Sequence, residues 1–251
     1  MGAIQLFKNY YESSLSAPDS ILIDTFDINE IRQDFIISRD KRKELIEQDP
    51  KSAEIIRPIL RGRDIKRYSC EFADLYIITT FPSLKIDIEQ YQAIKQHLLS
   101  FGYDRLKQTS EPGARKKTNN QWFETQDSIS YWDDFSKQKI LFSEMVSSPQ
   151  FYLDCQNFLV NDTVTFISGE NLESLTIFLN SKIIFSIFKL FYAGGGLGNS
   201  GIRMKKTFLQ KLPLPRIVIQ NVNFKDQEIL ISNALTLTDD EFDYLLEAFS
   251  I

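Results

Sequence analysis

At 251 residues, 43% hydrophobic and 25% charged, the chain is long enough to bury a real core and has neither the polarity of a disordered segment nor the apolar runs of a membrane span. Residues 1–8 are mixed and soon polar, unlike a secretory leader, and Cys70 and Cys155 are too few for a disulfide framework, so free thiols, a cytoplasmic location and no membrane partner are expected. A net charge of −5 argues on its face against a nucleic-acid partner, and only an uneven distribution of that charge could reverse the reading.

In chain order, residues 1–20 look weakly structured, with Ser13-Ser14 and Ser16-Ala17-Pro18 reading as linker, and residues 1–34 are taken as a linker or N-terminal extension. Residues 34–38 read as a short strand. Ser38 or Asp40 then caps a helix over 41–47, with Glu44 supporting its first turn. Residues 52–56 form another helical turn, stopped at Pro58. Leu75-Tyr76-Ile77-Ile78-Thr79-Thr80 is the clearest strand, β-branched and aromatic and closed by Pro82. Residues 88–101 carry helical spacing through Tyr91, Ile94, Leu98 and Phe101, with Gly102 at the C-cap and the lone histidine, His97, placed on the helix surface. Residues 140–143 and 163–167 read as strands. Residues 172–191 form a long apolar helix broken in the middle, ahead of the glycine cluster 194–201. Leu212-Pro213-Leu214-Pro215 is extended, and Thr238 caps a final helix over 239–249. Strands and helices mix without βαβ alternation, giving an α+β fold: an irregular, mixed β-sheet with long helices packed against it.

The charge is not spread evenly. Residues 51–120 carry 13 basic and 8 acidic side chains, and residues 200–216 carry 5 and none; the segments between and around them are acidic. Phosphates feel charge within about a Debye length, ~8–10 Å, so such patches matter more than the total. The glycine run fails as a nucleotide loop: it follows a helix, not a strand, and has no Gly-Lys-Ser/Thr. A single histidine and two distant cysteines make a zinc site or a histidine-based triad improbable. Two segments join positive charge to flat or bidentate side chains: the run from Arg57 to Tyr68, and the run from Arg115 to Glu124. Arginine suits guanine edges, Asn and Gln suit adenine edges and lysine suits phosphate, but a solvated loop explains the same composition.

Word order adds what composition does not. Lys51-Ser52-Ala53-Glu54-Ile55-Ile56-Arg57-Pro58-Ile59-Leu60-Arg61-Gly62-Arg63-Asp64-Ile65-Lys66-Arg67-Tyr68 closely resembles the opening of the TaqI-like C-terminal specificity domain, the target-recognition part of type IIG restriction–modification enzymes and related adenine-specific DNA methyltransferases. Leu99-Ser100-Phe101-Gly102, residues 117–126, Tyr131-Trp132, Ile140-Leu141-Phe142-Ser143-Glu144, Leu179-Asn180-Ser181-Lys182, the glycine loop with Ile202-Arg203, Leu212-Pro213-Leu214-Pro215 and Leu237-Thr238-Asp239-Asp240-Glu241 follow in the same order. The resemblance covers about residues 35–251, which are taken as one DNA target-recognition domain.

It implies a sequence-specific module that clamps double-stranded DNA against a methyltransferase or endonuclease domain, in cis or in trans, and reads bases from the major groove. The contacts it suggests are Arg61, Arg63, Lys66, Arg67, Arg115, Lys116, Lys117, Asn119, Asn120, Arg203, Lys205 and Lys206. Lysines such as Lys116, Lys205 and Lys206 are expected on phosphates, and Arg61, Arg63, Arg115, Arg203, Asn119 and Asn120 on base edges. The sequence departs from the whole enzymes in lacking the glycine-rich cofactor motif and the Asn-Pro-Pro-Tyr catalytic motif, so the chain is expected to be an excised domain or a stand-alone specificity subunit with no catalysis of its own. S-adenosylmethionine and Mg are expected only for the missing catalytic domains, and the segment 220–235 is short for the helical spacer such proteins carry. The alternative is a protein-interaction or decoy subunit using the same fold without affinity for DNA.

Overall fold

The computed structural model describes residues 22–25, 33–126, 132–191, 201–209, 212 and 224–247. Its strands are β1 (Leu22–Thr25), β2 (Ile36–Ser38), β3 (Ile56–Leu60), β4 (Ile65–Lys66), β5 (Ser69–Cys70), β6 (Leu75–Ile78), β7 (Lys139–Ser143), β8 (Met145–Val146), β9 (Phe151–Asp154), β10 (Leu159–Val160), β11 (Val164–Ser168) and β12 (Ile202–Arg203). They form two four-stranded sheets, ordered β1-β11-β7-β9 and β10-β3-β6-β2, and two small ribbons, β4-β5 and β12-β8. The fold is α+β with irregular, mixed sheets: every pairing among these strands is antiparallel except β10 with β3. Leu22–Thr25, within the stretch expected to be linker, is the edge strand against β11. The weak structure expected of residues 1–20 falls outside the described residues.

Period-two alternation shows how the layers stack. In β7, Ile140 and Phe142 face one core cluster and Leu141 faces another, and in β11 Ile167 and Phe166 divide the same way. One face of this sheet therefore packs on helices Leu172–Leu179, Lys182–Phe191, Phe224–Ala234 and Asp239–Glu247, through Phe178, Ile183, Phe188, Ile231 and Leu245. The other face packs against the second sheet through Phe166, Ile59, Ile77 and Phe81. The far side of that second sheet carries Ile56 and Ile78 against Leu45, Ile94 and Leu98 of helices Arg39–Gln48 and Gln92–Leu99. Strands buried on both faces lose the apolar–polar alternation of a half-exposed strand, and all five residues of β7 and of β11 are buried.

Local chemistry accounts for most element ends. Ser38 Oγ accepts from Lys41 N at 3.2 Å and starts the first helix, and Thr238 Oγ1 accepts from Glu241 N while Glu241 Oε2 accepts from Thr238 N, a capping box. The expected break in 172–191 falls at Asn180-Ser181, where two helices meet at 67°. No single described helix is long and apolar enough to cross a membrane, and this bent pair is packed in the core.

Two expectations need correction. The helical turn expected over 52–56 is a 3-10 helix over Pro50–Ile55, but it ends before Pro58, which lies inside β3 opposite Tyr76. β10 covers only Ile59 and Leu60, so the proline, which has no N–H to donate, occupies the part of β3 that β10 leaves uncovered. His97 is half-buried rather than a surface residue: its ring stands edge-on to Phe101 at 5.2 Å, and burial, assisted by Lys41, pushes its pKa below the ordinary histidine value. Within the segment 220–235, to which the sequence reading assigned no element, lies the helix Phe224–Ala234, with Ile231 wholly buried.

Candidate nucleic-acid interface

The turn after β3 is built by Asp64. Arg61 donates to it three times: backbone N to Oδ2 at 2.9 Å, Nε to Oδ2 at 2.9 Å and Nη2 to Oδ1 at 2.7 Å. Burial alone would raise the Asp64 pKa, but these hydrogen bonds and the guanidinium charge hold it below the ordinary carboxylate value. The brace uses the Nε edge of Arg61; the Nη1 edge has no partner among the described residues.

Glycine at position 62 lets this turn approach the other sheet, at the ends of β7 and β11. Its N–H donates to Thr163 Oγ1 at 3.1 Å, and a Cβ there would lie 2.9 Å from both Ser143 Oγ and Thr163 Oγ1 and 3.3 Å from the Thr163 carbonyl. Gly62→Ala is expected to lower unfolding stability by ~1–3 kcal/mol, the usual cost of overpacking, read as a fall in the urea midpoint at unchanged slope. An unchanged midpoint would mean that the turn shifts freely.

The result is an open cleft of about 720 Å³ lined by Arg61, Gly62, Arg63, Ser143, Glu144, Met145, Asn161, Asp162, Thr163 and Arg203. Residues from both positive sequence blocks meet here, because β12 pairs with β8 and sets Arg203 opposite Met145. Glu144 Oε2 accepts from Arg203 Nε at 2.9 Å, a single-bond counterpart of the Asp64 brace, and the outer guanidinium edge has no partner among the described residues. Arg63 is exposed, and its guanidinium has no hydrogen-bond or ion-pair partner among the described residues. Asn161 shapes the opposite wall, accepting from Thr163 Oγ1 at 2.8 Å and, through its carbonyl, from Val164 N at 3.0 Å. The cleft thus offers planar donor forks, two of them fixed in direction, beside the exposed carboxylate of Asp162.

The remaining suggested contacts are elsewhere and differ in kind. Lys66 Nζ donates to the Arg63 carbonyl at 2.9 Å and pairs with Glu71. Arg67 turns inward: Nε and Nη2 donate to the Asn180 carbonyl at 3.1 and 2.7 Å, with Glu228 at 3.7 Å. Glu228 in turn accepts from Ser181 Oγ and Lys182 N, so Arg67 ties the β4-β5 ribbon to the C-terminal helices. Arg115 is a correction. It is 4% exposed, donates Nη1 to the Glu124 carbonyl at 2.7 Å and lies over the Phe35 ring, so it cannot reach a base edge without unfolding its loop. Asn120 is likewise spent, its Nδ2 donating to the carbonyls of Thr125 and Gln126 at 3.1 and 2.9 Å. Lys116, Lys117 and Asn119 are exposed on the same loop, outside the cleft. Lys205 is exposed and Lys206 half-buried just beyond β12. The glycine residues 194–198 lie outside the described residues.

Sequence reasoning missed Glu144, Asn161, Asp162 and Thr163. The available signals were the acid directly after the strand 140–143 and the Asn-Asp-Thr turn directly before the next. Among the described residues no group of three His, Cys, Asp or Glu could hold a metal ion.

This fold is shared with restriction–modification enzymes. The structure is similar to MmeI, a type IIL restriction–modification enzyme solved in complex with DNA, at a TM-score of 0.53 and 14% identity over 93% of this chain and 32% of that one. It is also similar to the type IIG restriction endonuclease BpuSI, at a TM-score of 0.51 and 11% identity over 99% of this chain and 32% of that one. The chain therefore spans about a third of the length of these enzymes. No curated protein sequence matches it. Residues 57–214 match the model of the TaqI-like C-terminal specificity domain, and the chain belongs to that family.

Proposed function

We propose that the chain is a sequence-specific double-stranded DNA recognition module of a restriction–modification system. It acts with an adenine-N6 methyltransferase and endonuclease domain, in the same protein or as a separate subunit, and is itself non-catalytic. The recognition unit is residues 35–251, joined at its sheet edge by β1 from the preceding segment. The observation that carries the reading is the cleft: Arg61 and Arg63, joined by the sequence-distant Arg203, line one opening with two guanidinium groups held by carboxylates.

Bracing matters because a base reader must present its fork without losing rotamer freedom on binding. A carboxylate on the Nε edge fixes the plane of Arg61 and of Arg203 while leaving Nη donors for a phosphate or for guanine O6 and N7. Arg63 brings an uncommitted fork, and Asp162 a carboxylate able to accept from cytosine N4. The rest of the suggested set divides by geometry. Lys205 and Asn119 remain candidates for DNA contact, whereas Arg67, Arg115 and Asn120 act from within the protein.

The test is a binding series over single-base variants of the preferred duplex. Arg63→Ala is expected to cost ~1–3 kcal/mol on the preferred site and much less elsewhere, while Lys205→Ala weakens all duplexes about equally. Uniform loss on every sequence for Arg61→Ala, Arg63→Ala and Arg203→Ala alike would place base reading outside the cleft.

A further inference from the structure

The loop formed by residues 107–126 is held together by its own polar groups. Pro112-Gly113 makes a tight turn, with Gly113 at φ 84° and Ala114 N donating to the Glu111 carbonyl at 2.9 Å. Arg115 N donates to the Lys107 carbonyl at 2.9 Å and Ser110 N to the Arg115 carbonyl at 2.8 Å, so the chain doubles back on itself. Gln108, 5% exposed, donates Nε2 to the carbonyls of Gln121 and Glu124, each at 3.0 Å, and accepts from Thr118 Oγ1 at 2.6 Å. With the Arg115 guanidinium on the Glu124 carbonyl, two buried side chains fix the two limbs of the loop from behind.

What this scaffold presents is a pair of uncompensated charges. Lys41, Lys43, Lys66, Lys95, Lys107 and Lys137 each pair with a carboxylate. Lys116 and Lys117 are adjacent, exposed and without an ion-pair partner among the described residues, and the acids of their own loop are committed elsewhere: Glu111 to Lys107, and Glu124 to the Gln121 N–H at 2.7 Å. Lys117 has its backbone pinned by Ser110 Oγ at 2.7 Å. Two neighbouring ammonium groups on a stiff loop whose own acids are paired elsewhere suit an extended polyanion, and as compact point charges they suit phosphate rather than base edges.

We infer that residues 107–126 form a prefolded arm that grips the phosphate backbone of duplex DNA through Lys116 and Lys117, with Gln108 and Arg115 as its positioning residues. The arm adds affinity without sequence information and does not share the cleft's residues. This inference rests on the DNA-binding reading of the chain. Ordering the loop before binding spares the entropy that a flexible basic loop would lose on the duplex.

The experiment measures affinity for short duplexes of several sequences across a KCl series, using the full chain. The variants are K116Q/K117Q, Gln108→Leu and, for comparison, Arg63→Ala. Each phosphate contact contributes about 0.9 to the slope of log K against log salt, so K116Q/K117Q is expected to reduce its magnitude by about 1.8, equally on every sequence and with Tm unchanged. Gln108→Leu is expected to reduce the slope in the same direction and to speed amide exchange in residues 107–126 but not in β7. A residue that only supports the fold would lower the active fraction and leave the slope alone. An unchanged slope in K116Q/K117Q overturns the arm even if Arg63→Ala still erases sequence preference. Failure of the unaltered chain to bind any duplex overturns both the arm and the DNA reading.

Discussion

Asp154→Leu is expected to lower the unfolding free energy by about 3–5 kcal/mol, the range for removing one partner of a buried ion pair. Asp154 and Lys139 are both wholly buried in the central sheet, with Nζ and Oδ2 2.6 Å apart and Nζ also donating to the Phe135 carbonyl at 2.9 Å. Burial pushes the Lys139 pKa down, and the attraction of Asp154 opposes that shift. Without the carboxylate the ammonium either stays charged and unpaired or gives up its proton, and both are costly. Asp154 also accepts from Gln156 N at 2.8 Å and Phe158 N at 3.0 Å, so its loss leaves two backbone donors to find new partners. For that reason the double variant Lys139→Met/Asp154→Leu should recover only part of the loss, although apolar replacement of a buried pair is often neutral. Urea unfolding of the three variants decides it; a loss under about 1 kcal/mol for Asp154→Leu would mean that water already reaches the pair.

Asn180→Leu is expected to cost about 2–4 kcal/mol, summing lost hydrogen bonds and an orphaned buried donor. The side chain is wholly buried where the apolar helices break, and it mimics a strand: Nδ2 donates to the Phe151 carbonyl at 2.8 Å and Oδ1 accepts from Phe151 N at 3.0 Å. The Phe151 carbonyl keeps a second donor, Tyr68 N at 3.0 Å, so the N–H is the group left bare. Asn180→Asp separates hydrogen bonding from volume. A carboxylate can accept from Phe151 N but sets negative charge against the carbonyl, so its pKa in the folded state is raised above the unfolded value of ~3.9. The folded state then binds the extra proton, so the stability of this variant is greatest below the unfolded pKa and falls as pH rises through the folded one. Stability of Asn180→Asp that rises with pH relative to the unaltered chain would contradict the assigned contacts.

Much of the scaffold was legible because local chemistry and long-range packing agreed. The strands 75–78, 140–143 and 164–168 are β-branched or aromatic, and the helix starts at Ser38 and Thr238 carry their own caps. The strands β9 and β10, which pair with β7 and β3, were not legible, since Phe151–Asp154 and Leu159–Val160 are short. The buried pair was not legible either, because no local feature of the sequence announces that Asp154 on β9 will face Lys139 on the adjacent strand β7.

The site shows the same limit. Arg115, Lys116 and Lys117 are consecutive cations, yet the first points inward and the other two outward. What separates them is the convergence of the carbonyls of Leu106, Trp122 and Glu124, which only the folded loop supplies. Arg61 and Arg203 were legible as DNA-facing types, but their carboxylate braces were not: Asp64 lies three residues on and Glu144 lies 59 residues back.

Whether the cleft reads sequence is decided by selection from a pool of randomised duplexes at low salt. The unaltered chain is expected to enrich one short motif. The variant Arg61→Ala/Arg63→Ala/Arg203→Ala should still bind, through lysine-held phosphates, but should enrich no motif, since the cost of discrimination lost per true base reader is ~1–3 kcal/mol. Enrichment of the same motif by the unaltered chain and by the triple variant would contradict the account.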